Sequence, residues 1–397
     1  MKRYPITLAI DTSCDDTSAA VTCGLEIWSN VIASQTELHR PYGGVFPTVA
    51  KQAHRENIAA VVKLALKRAG IAESDIEHIA VTIGPGLAPA LEVGIAFAKQ
   101  LGVRLRIPIV PVNHIEGHCL SVLAQSQAKN TSAKTEADAR KSVASERSNE
   151  VLDAIQLPVL SVVVSGGHTQ FFLIEADKKD SKAKTNRSTL HKEANTGTRV
   201  ARYPRLAMAQ DGQDDTATWL TSGRFSITLL GQSVDDAAGE ALDKIGRMIN
   251  LGYPAGPVIE QLAKQGNRSR YEFPLPMTTT RDYNLSFSGM KTFARRFIEK
   301  QWGKTLPNAQ ETFDFCASLQ YAVFRHICYK LNKILLDFPE ITEVWLGGGV
   351  AANATLRSML RQTLKSKAHQ PRHLRLKTPY TKRLCMDNAA MVGLCIA

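Results

Sequence analysis

The chain has 397 residues, 44% hydrophobic and 22% charged, with a formal net charge of +12. At ~100–200 residues per domain this length calls for two domains, and no run of 18 apolar residues reads as a membrane span. The seven cysteines are an odd number with no C-x-x-C pair, so neither a disulfide framework nor a thiolate zinc site is indicated; the N-terminal segment has no signal- or transit-peptide pattern, so a cytoplasmic location is expected.

In chain order, "ITLAIDTSCDDTSAAVTC" is an apolar strand ending at Asp11, a Ser/Asp-rich turn and a second strand, together a hairpin. Residues 51–69 put Ile58, Val61, Val62, Ala65 and Leu66 on one side of a helix. "IEHIAVTIGPG" is then a strand entering a Gly-Pro loop, and "ALEVGIAFAKQLG" a helix. In "VNHIEGHCLS", His114 and His118 stand one helical turn apart on one face, a spacing that can grip a metal ion. A metalloprotease needs glutamate directly after the first histidine, where this chain has Ile115. Glu116 is displaced by one position, about 100° around a helix, so the protease template fails at its general base. Two readings stay open: a metal pair needing a third ligand, or two polar histidines on a helix face. Gly117 costs ~1 kcal/mol relative to alanine inside a helix, a hint that something approaches closely there.

Polar stretches at about 125–156 and 177–223 read as surface insertions, the first rich in helix formers. "LPVLSVVVSGGHTQFFLI" is again a strand, a turn and a strand. Asp235, Asp236 and Glu240 fall in "DDAAGEALDK", a small-residue helix with exposed acids, and "EVWLGGGVAANATLRSMLRQTL" is a strand, a glycine loop and a helix. The turn at 164–168 and the loop at Gly347–Gly349 each follow a strand, where backbone N–H groups freed of side-chain bulk can surround phosphate or purine. Neither fits a P-loop or a G-x-G-x-x-G fingerprint. Asp387 precedes an apolar helical run, as an N-cap or as a third metal ligand. Lys291 to Arg383 holds 17 Lys/Arg against 6 Asp/Glu, which is +11 of the net charge; a solvated face and a polyanion site, RNA or acidic protein, are both open. The second half repeats the rhythm of the first, which predicts a duplicated α/β architecture with a ligand cleft between the halves.

The Asp11 hairpin, the Gly-Gly hairpin and the late glycine loop resemble the phosphate and adenosine motifs of the actin, Hsp70 and sugar-kinase superfamily. Taken in order, "AIDTSCDDTSAAV", "YGGVFPTVA", "GPGLAPALEVGIAFAKQL", "VNHIEGH", "VSGGHTQ", "DDAAGEALDK", "YPAGP", "FSGMKT", "GGGVAANATLR" and "MDNAAMVG" closely resemble the TsaD family of tRNA N6-adenosine threonylcarbamoyltransferases. The resemblance implies an α/β, actin-like (ASKHA) two-lobed fold of duplicated mixed sheets. Its first lobe would be 1–113 and its second 114–384, with a C-terminal helix near 385–397 returning to the first. The implied reaction moves a threonylcarbamoyl group from threonylcarbamoyl-adenylate to N6 of the adenosine just 3′ of the anticodon, in tRNAs reading ANN codons. The family's metal ligands fall on His114, His118 and Asp387, for one divalent iron or zinc ion. Its adenylate-binding positions fall on Val164, Ser165, Gly166, Gly167, His168, Asp243, Gly256 and Asn353.

No motif identifies the general base, for which Asp11 and Glu116 are candidates. Implied partners are tRNA, met by the basic segment with Lys291, Arg295 and Arg296, and TsaB-like and TsaE-like accessory subunits; neither membrane nor DNA is expected. Asp16, Glu92 and Ala255 depart from the usual family residues, and none is a metal ligand. The competing reading is an ATP-dependent kinase or ATPase-type binding module of the same fold, which would turn over ATP steadily without a His-His-Asp site.

Overall fold

A computed structural model describes residues 2–127, 137–176, 225–303 and 305–397. The first half runs β1 (Ile6–Asp11), β2 (Asp16–Cys23), β3 (Glu26–Ser34), α1 (Thr36–His39), α2 (Pro47–Ala69), β4 (His78–Gly84), α3 (Ala88–Leu105), β5 (Ile109–Asn113), α4 (His114–Leu120), β6 (Gln125–Ser126) and α5 (Ala137–Asp153). The second runs β7 (Val159–Val164), β8 (Thr169–Ala176), β9 (Phe225–Gln232), α6 (Ala238–Met248), α7 (Gly256–Ala263), α8 (Ser288–Gln301), α9 (Ala309–Asp337), β10 (Glu343–Gly347), α10 (Ala354–Leu364), β11 (Arg375–Lys377) and α11 (Ala389–Leu394).

The two sheets share one plan. In the first the order is β5-β4-β1-β2-β3-β6, in the second β11-β10-β7-β8-β9. In each, the leading strand pairs antiparallel with its hairpin partner and parallel with the strand that returns after a crossover. That mixed, duplicated sheet is the two-lobed α/β architecture the repeated rhythm predicts. β1 and β7 are buried along their whole length, as expected of central strands covered on both faces. Both end at the same place, so the turns after Asp11 and Val164 open into one cleft.

Helix boundaries follow local chemistry. α2 begins four residues before the apolar period does, because Pro47 supplies a preset first turn, and it stops at Gly70 with φ of 68°. α9, 29 residues long, opens with a capping box between Asn308 and Glu311. Around it a second hydrophobic core gathers α6, α7, α8 and α10, while α11 packs in the first core with Met391 and Val392 against β1 and β2.

The first polar stretch is corrected over 137–153. There α5 docks on the first sheet through Ala144, Ser145, Ser148 and Leu152. Ser145 Oγ accepts from Tyr4 N–H at 3.1 Å, Ser148 Oγ from Leu25 N–H at 2.9 Å, and the Arg140 guanidinium lies 4.1 Å over the Trp28 ring. A docking face built of small and hydroxylated residues gives no apolar period, so it resembles an insertion in sequence. β6 also joins the first sheet beside β3. The chain therefore crosses between sheets after Asp153 and not after Asn113. The stretch at about 177–223 lies outside the described residues. No described helix is long and apolar enough to cross a membrane.

Candidate metal centre and nucleotide cleft

β5 feeds directly into α4, whose first turn is closed by Asn113: its Oδ1 accepts from Ile115 N–H at 2.8 Å and from Glu116 N–H at 3.4 Å. This cap fixes the helical phase, so His114 and His118 face the cleft, both buried. Opposite them stands Asp387, on the segment leading into α11. Its Oδ1 is 3.1 Å from His118 Nε2 and 3.5 Å from His114 Nε2, and one ligand atom from each residue lies within 4.8 Å of the others. Asp387 does not cap α11. Asn388 does, accepting from Met391 N–H at 3.2 Å, which leaves the neighbouring carboxylate free to point at the imidazoles.

The electrostatics mark the spot as anomalous. Burial opposes charge on His114, yet the Asp387 and Asp11 carboxylates outweigh it and push the imidazole up to about 10. His118, buried beside that cation, is pushed down, and Asp387 is held well below the usual carboxylate range by the two imidazoles despite its burial. Asp11, fully buried at the end of β1, faces His114 Nδ1 at 3.6 Å. His114 Nδ1, His118 Nδ1 and Asp11 Oδ1 are buried without a hydrogen bond among the described residues, a deficit that calls for an explanation. Burial and the carboxylates of Asp15, Asp387 and Asp11 raise Asp16 to about 7. A divalent cation would offset this concentrated negative charge. Two imidazoles and a carboxylate suit iron or zinc and leave coordination positions open, so the residues fit a metal ion.

The glycine segments close on this cluster from the second lobe. In the turn after β7, Ser165 N–H donates to the His168 carbonyl at 2.7 Å and His168 N–H to Ser165 Oγ at 3.0 Å. Gly166 and Gly167 are exposed at its tip, where an added Cβ would meet nothing within 4 Å. His168 is pushed down to about 4, by burial first and then by the His114 and His118 imidazoles it faces. After β10 the chain squeezes between α4 and β7. A Cβ at Gly347 would come within 2.3 Å of the His118 carbonyl oxygen, and Gly348, at φ of 90°, within 2.4 Å of that of Val164. No L side chain fits there, so these glycines knit the metal helix to the nucleotide-type turn.

Other expected binding residues are already engaged within the protein. Asn353 caps α10, its Oδ1 accepting from Thr355 N–H at 2.9 Å while its Nδ2 donates to Gln320 at 2.8 Å. Asp243 Oδ1 takes the N–H groups of Ala255 at 2.8 Å and Gly256 at 2.9 Å, fixing the turn before α7. These contacts position the cleft wall, and the N-termini of α6 and α10 add partial positive charge there.

Several expectations change. The close approach at Gly117 is made by Met391 of α11, whose Cγ would lie 3.0 Å from an added Cβ, and not by a ligand. Glu116 points away from the imidazoles into an apolar chamber with Leu25, Leu120, Leu152 and Leu394, and burial pushes its carboxyl up to about 7. Asp235 is exposed as expected, yet its carboxylate also accepts from Ser286 Oγ–H and Phe287 N–H, while Asp236 is half-buried and binds Lys244 and Lys291. Lys291 is thereby committed internally. So are Lys330, fully buried against Asp282, and Arg372, which donates to carbonyls of Leu335 and Ile341. The basic segment is therefore not one face, although Arg295 and Arg296 are exposed.

The family described as "TsaD: tRNA N6-adenosine threonylcarbamoyltransferase" matches residues 26–144 and 186–394. A tRNA N6-adenosine threonylcarbamoyltransferase of Clostridioides difficile (strain 630) is 37% identical over 390 residues, 98% of this chain and 91% of the relative. One of Thermosipho africanus (strain TCF52B) is 33% identical over 98% of this chain and 92% of its own length. Among solved structures, T. kodakarensis HypF covers all of this chain with 48% of its own, at a TM-score of 0.51 and 13% identity, a likeness of fold alone.

Proposed function

This chain belongs to the TsaD family of tRNA N6-adenosine threonylcarbamoyltransferases, a transferase that forms N6-threonylcarbamoyladenosine in tRNA, and from that membership we propose how its cleft serves the reaction. The donor is threonylcarbamoyl-adenylate and the acceptor the adenosine just 3′ of the anticodon in tRNAs reading ANN codons. The observation that carries this reading is the meeting of His114, His118 and Asp387 with the open 165–168 turn and the Gly348 passage in one cleft.

His114, His118 and Asp387 would hold one iron or zinc ion, whose chemistry is to offset phosphate charge and polarise a carbonyl. Asp11 acts behind them, its carboxylate facing His114 Nδ1 and orienting that ring. In the Val164 to His168 turn, Ser165 and His168 bond to each other, and the tip glycines Gly166 and Gly167 present backbone N–H groups to the adenylate phosphate. Asp243 and Asn353 brace the surrounding wall, the first by holding the Gly256 turn and the second by capping α10. The acceptor amine must lose a proton as the carbonyl–nitrogen bond forms and adenylate departs. Glu116 is turned away from this side of α4, so of the two candidate bases only Asp11 borders the reacting region.

Residues 1–153 with α11 form one lobe in this reading, and the remainder the other. TsaB-like and TsaE-like subunits and a cytoplasmic setting follow from the family resemblance. The kinase or ATPase-type reading gains nothing from the relatives, whose name is the transferase's. The test is reconstitution: full-length protein, unmodified tRNA and synthetic threonylcarbamoyl-adenylate, with and without accessory subunits, read by mass spectrometry of nucleosides. Threonylcarbamoyladenosine is expected only with the intact cluster; unmodified tRNA in every such reaction, beside steady hydrolysis of ATP by the same protein in a separate phosphate-release assay, would overturn the proposal.

A further inference from the structure

At the mouth of the cleft lies a groove of about 390 Å3 that the metal cluster and glycine turns do not use. Arg40 and Gly43 wall it on the first-lobe side, and Arg247, Tyr253, Pro254 and Val258 on the other. One bond joins the walls, from Arg247 Nη1 to the Gly43 carbonyl at 2.6 Å. Both walls are preorganised. Phe46 N–H donates to His39 Nδ1 at 3.2 Å, His39 Nε2 lies 3.2 Å from Gln35 Oε1, and Gln35 Nε2 donates to Thr17 Oγ1 at 3.4 Å, tying the 35–46 loop to the hairpin that follows Asp11. Across the groove, Asp243 fixes the turn that carries Tyr253 and Pro254.

We infer that this groove seats one unpaired nucleotide of the RNA loop, next to the acceptor adenosine, with its base against Tyr253 and Pro254 and its phosphates on Arg40 and Arg247. The inference rests on the transferase reading and names where that substrate's loop is gripped. Size selects the class of occupant: the volume is at the small end of the ~300–1,000 Å3 range of small-ligand sites. Composition selects the chemistry. An aromatic ring and a proline offer an apolar surface to any base, and guanidinium groups beside them offer pairing to phosphate. Arg40 meets Glu37 at 2.8 Å with both side chains more than half exposed, a contact that a phosphate readily exchanges. Location fits as well, because an acceptor base can enter the cleft only if its neighbours leave the stack and are held outside.

The test uses the full-length protein and an unmodified tRNA transcript, with 2-aminopurine replacing the nucleotide beside the acceptor adenosine in a parallel sample. Tyr253→Ala is expected to weaken tRNA binding and raise KM for tRNA about tenfold, the loss of one base stack, with the salt slope unchanged and Tyr253→Phe near wild type. Arg40→Gln should instead lower the slope of log K against log salt by about one. The quenching of 2-aminopurine on binding should diminish in Tyr253→Ala. Val258→Asp, a change at an exposed position, supplies a second arm if Tyr253→Ala does not fold, and it too should weaken tRNA binding. Wild-type tRNA affinity in Val258→Asp and Arg40→Gln overturns the inference. So does an equal loss of AMP and tRNA binding in Tyr253→Ala, which would make the groove a brace for the nucleotide turn. Failure of wild type to form threonylcarbamoyladenosine on this transcript, with the groove variants still selectively weak in tRNA binding, would count against the transferase reading and leave the groove standing.

Discussion

Adjacent residues at the start of α11 do different jobs, and separating them tests the metal assignment. Asp387 reaches both imidazoles, at 3.1 Å and 3.5 Å, and contributes no cap. Asn388 is fully buried, caps α11 through its Oδ1 and donates from Nδ2 to the Met386 carbonyl at 2.7 Å. Asp387→Ala should therefore remove a ligand and spare the helix. Losing partners behind metal ligands costs ~10–100-fold in affinity, so losing a direct ligand should weaken iron or zinc binding by on the order of a hundredfold or more. Asn388→Ala should do the reverse. A lost cap is worth ~1 kcal/mol, and an orphaned buried carbonyl adds ~1–3 kcal/mol, giving about 2–4 kcal/mol of lost stability with metal retained. Elemental analysis, urea unfolding and nucleoside mass spectrometry on the two variants beside wild type decide it. Equal metal in Asp387→Ala and wild type would refute the assignment, and so would Asn388→Ala losing metal as completely as Asp387→Ala.

The glycine turns make opposite predictions for one methyl group. Gly166→Ala has open space, so stability should stay within ~0.5 kcal/mol while calorimetry shows weaker AMP binding; Gly348→Ala, at φ of 90° and 2.4 Å from a backbone oxygen, should cost ~2–3 kcal/mol from strain. Reversing Arg295 and Arg296 to glutamate should weaken tRNA binding and flatten its salt dependence; unchanged titrations at two salt concentrations would make that stretch of α8 a solvated face. His326 is fully buried, accepts Ser286 N–H at 3.2 Å, and is pushed down to about 4, by burial first and then by Lys330. Between pH 4 and 6.5 the unfolded chain binds the extra proton, so its contribution is complete above 6.5 and is lost as pH falls, by up to about 3 kcal/mol. His326→Gln should show a shallower acid loss in urea titrations; a slope equal to wild type would contradict the assignment. Glu116→Gln should keep its metal, because its carboxyl lies in the apolar chamber; metal loss in that variant would show the helix turned the other way.

The fold was legible where burial imposes a pattern. β1 and β7 are apolar along their length because both faces are covered, and the repeated strand, turn, strand rhythm gave the duplication. What stayed hidden lacked an apolar signature. α5 docks through serines and alanines, so its inner face carries no period. The chain of Thr17, Gln35 and His39 behind the groove is polar, local to no motif, and visible only once β2 and the loop after β3 are brought together. Within the site, spacing exposed His114 and His118, but nothing in "MDNAAMVG" could decide which of Asp387 and Asn388 would cap and which would turn to the imidazoles. Charge counting failed for a related reason: a lysine or arginine reads alike whether it meets solvent, as Arg295 does, or carbonyls, as Arg372 does.

α4 shows how helical phase settles what residue type leaves open. Positions 114 and 118 differ by about 400°, which returns nearly to the same face, whereas 116 lies about 200° from 114 and so on the far side. The cap from Asn113 locks that phase. Burial then acts on each face separately. Toward the cleft it concentrates the charges of Asp11, His114 and Asp387, and toward the core it strips water from Glu116 until its carboxyl titrates near neutrality. A glutamate one residue earlier would have stood about 100° from His114, within reach of the same ion, and the helix would have carried a hydrolase's base. With Ile115 there instead, buried in the first core, the imidazole face keeps its metal-binding geometry and has no general base on its own helix. The carboxylate that does face His114 comes from outside α4: it is Asp11, at the end of β1, 3.6 Å from His114 Nδ1.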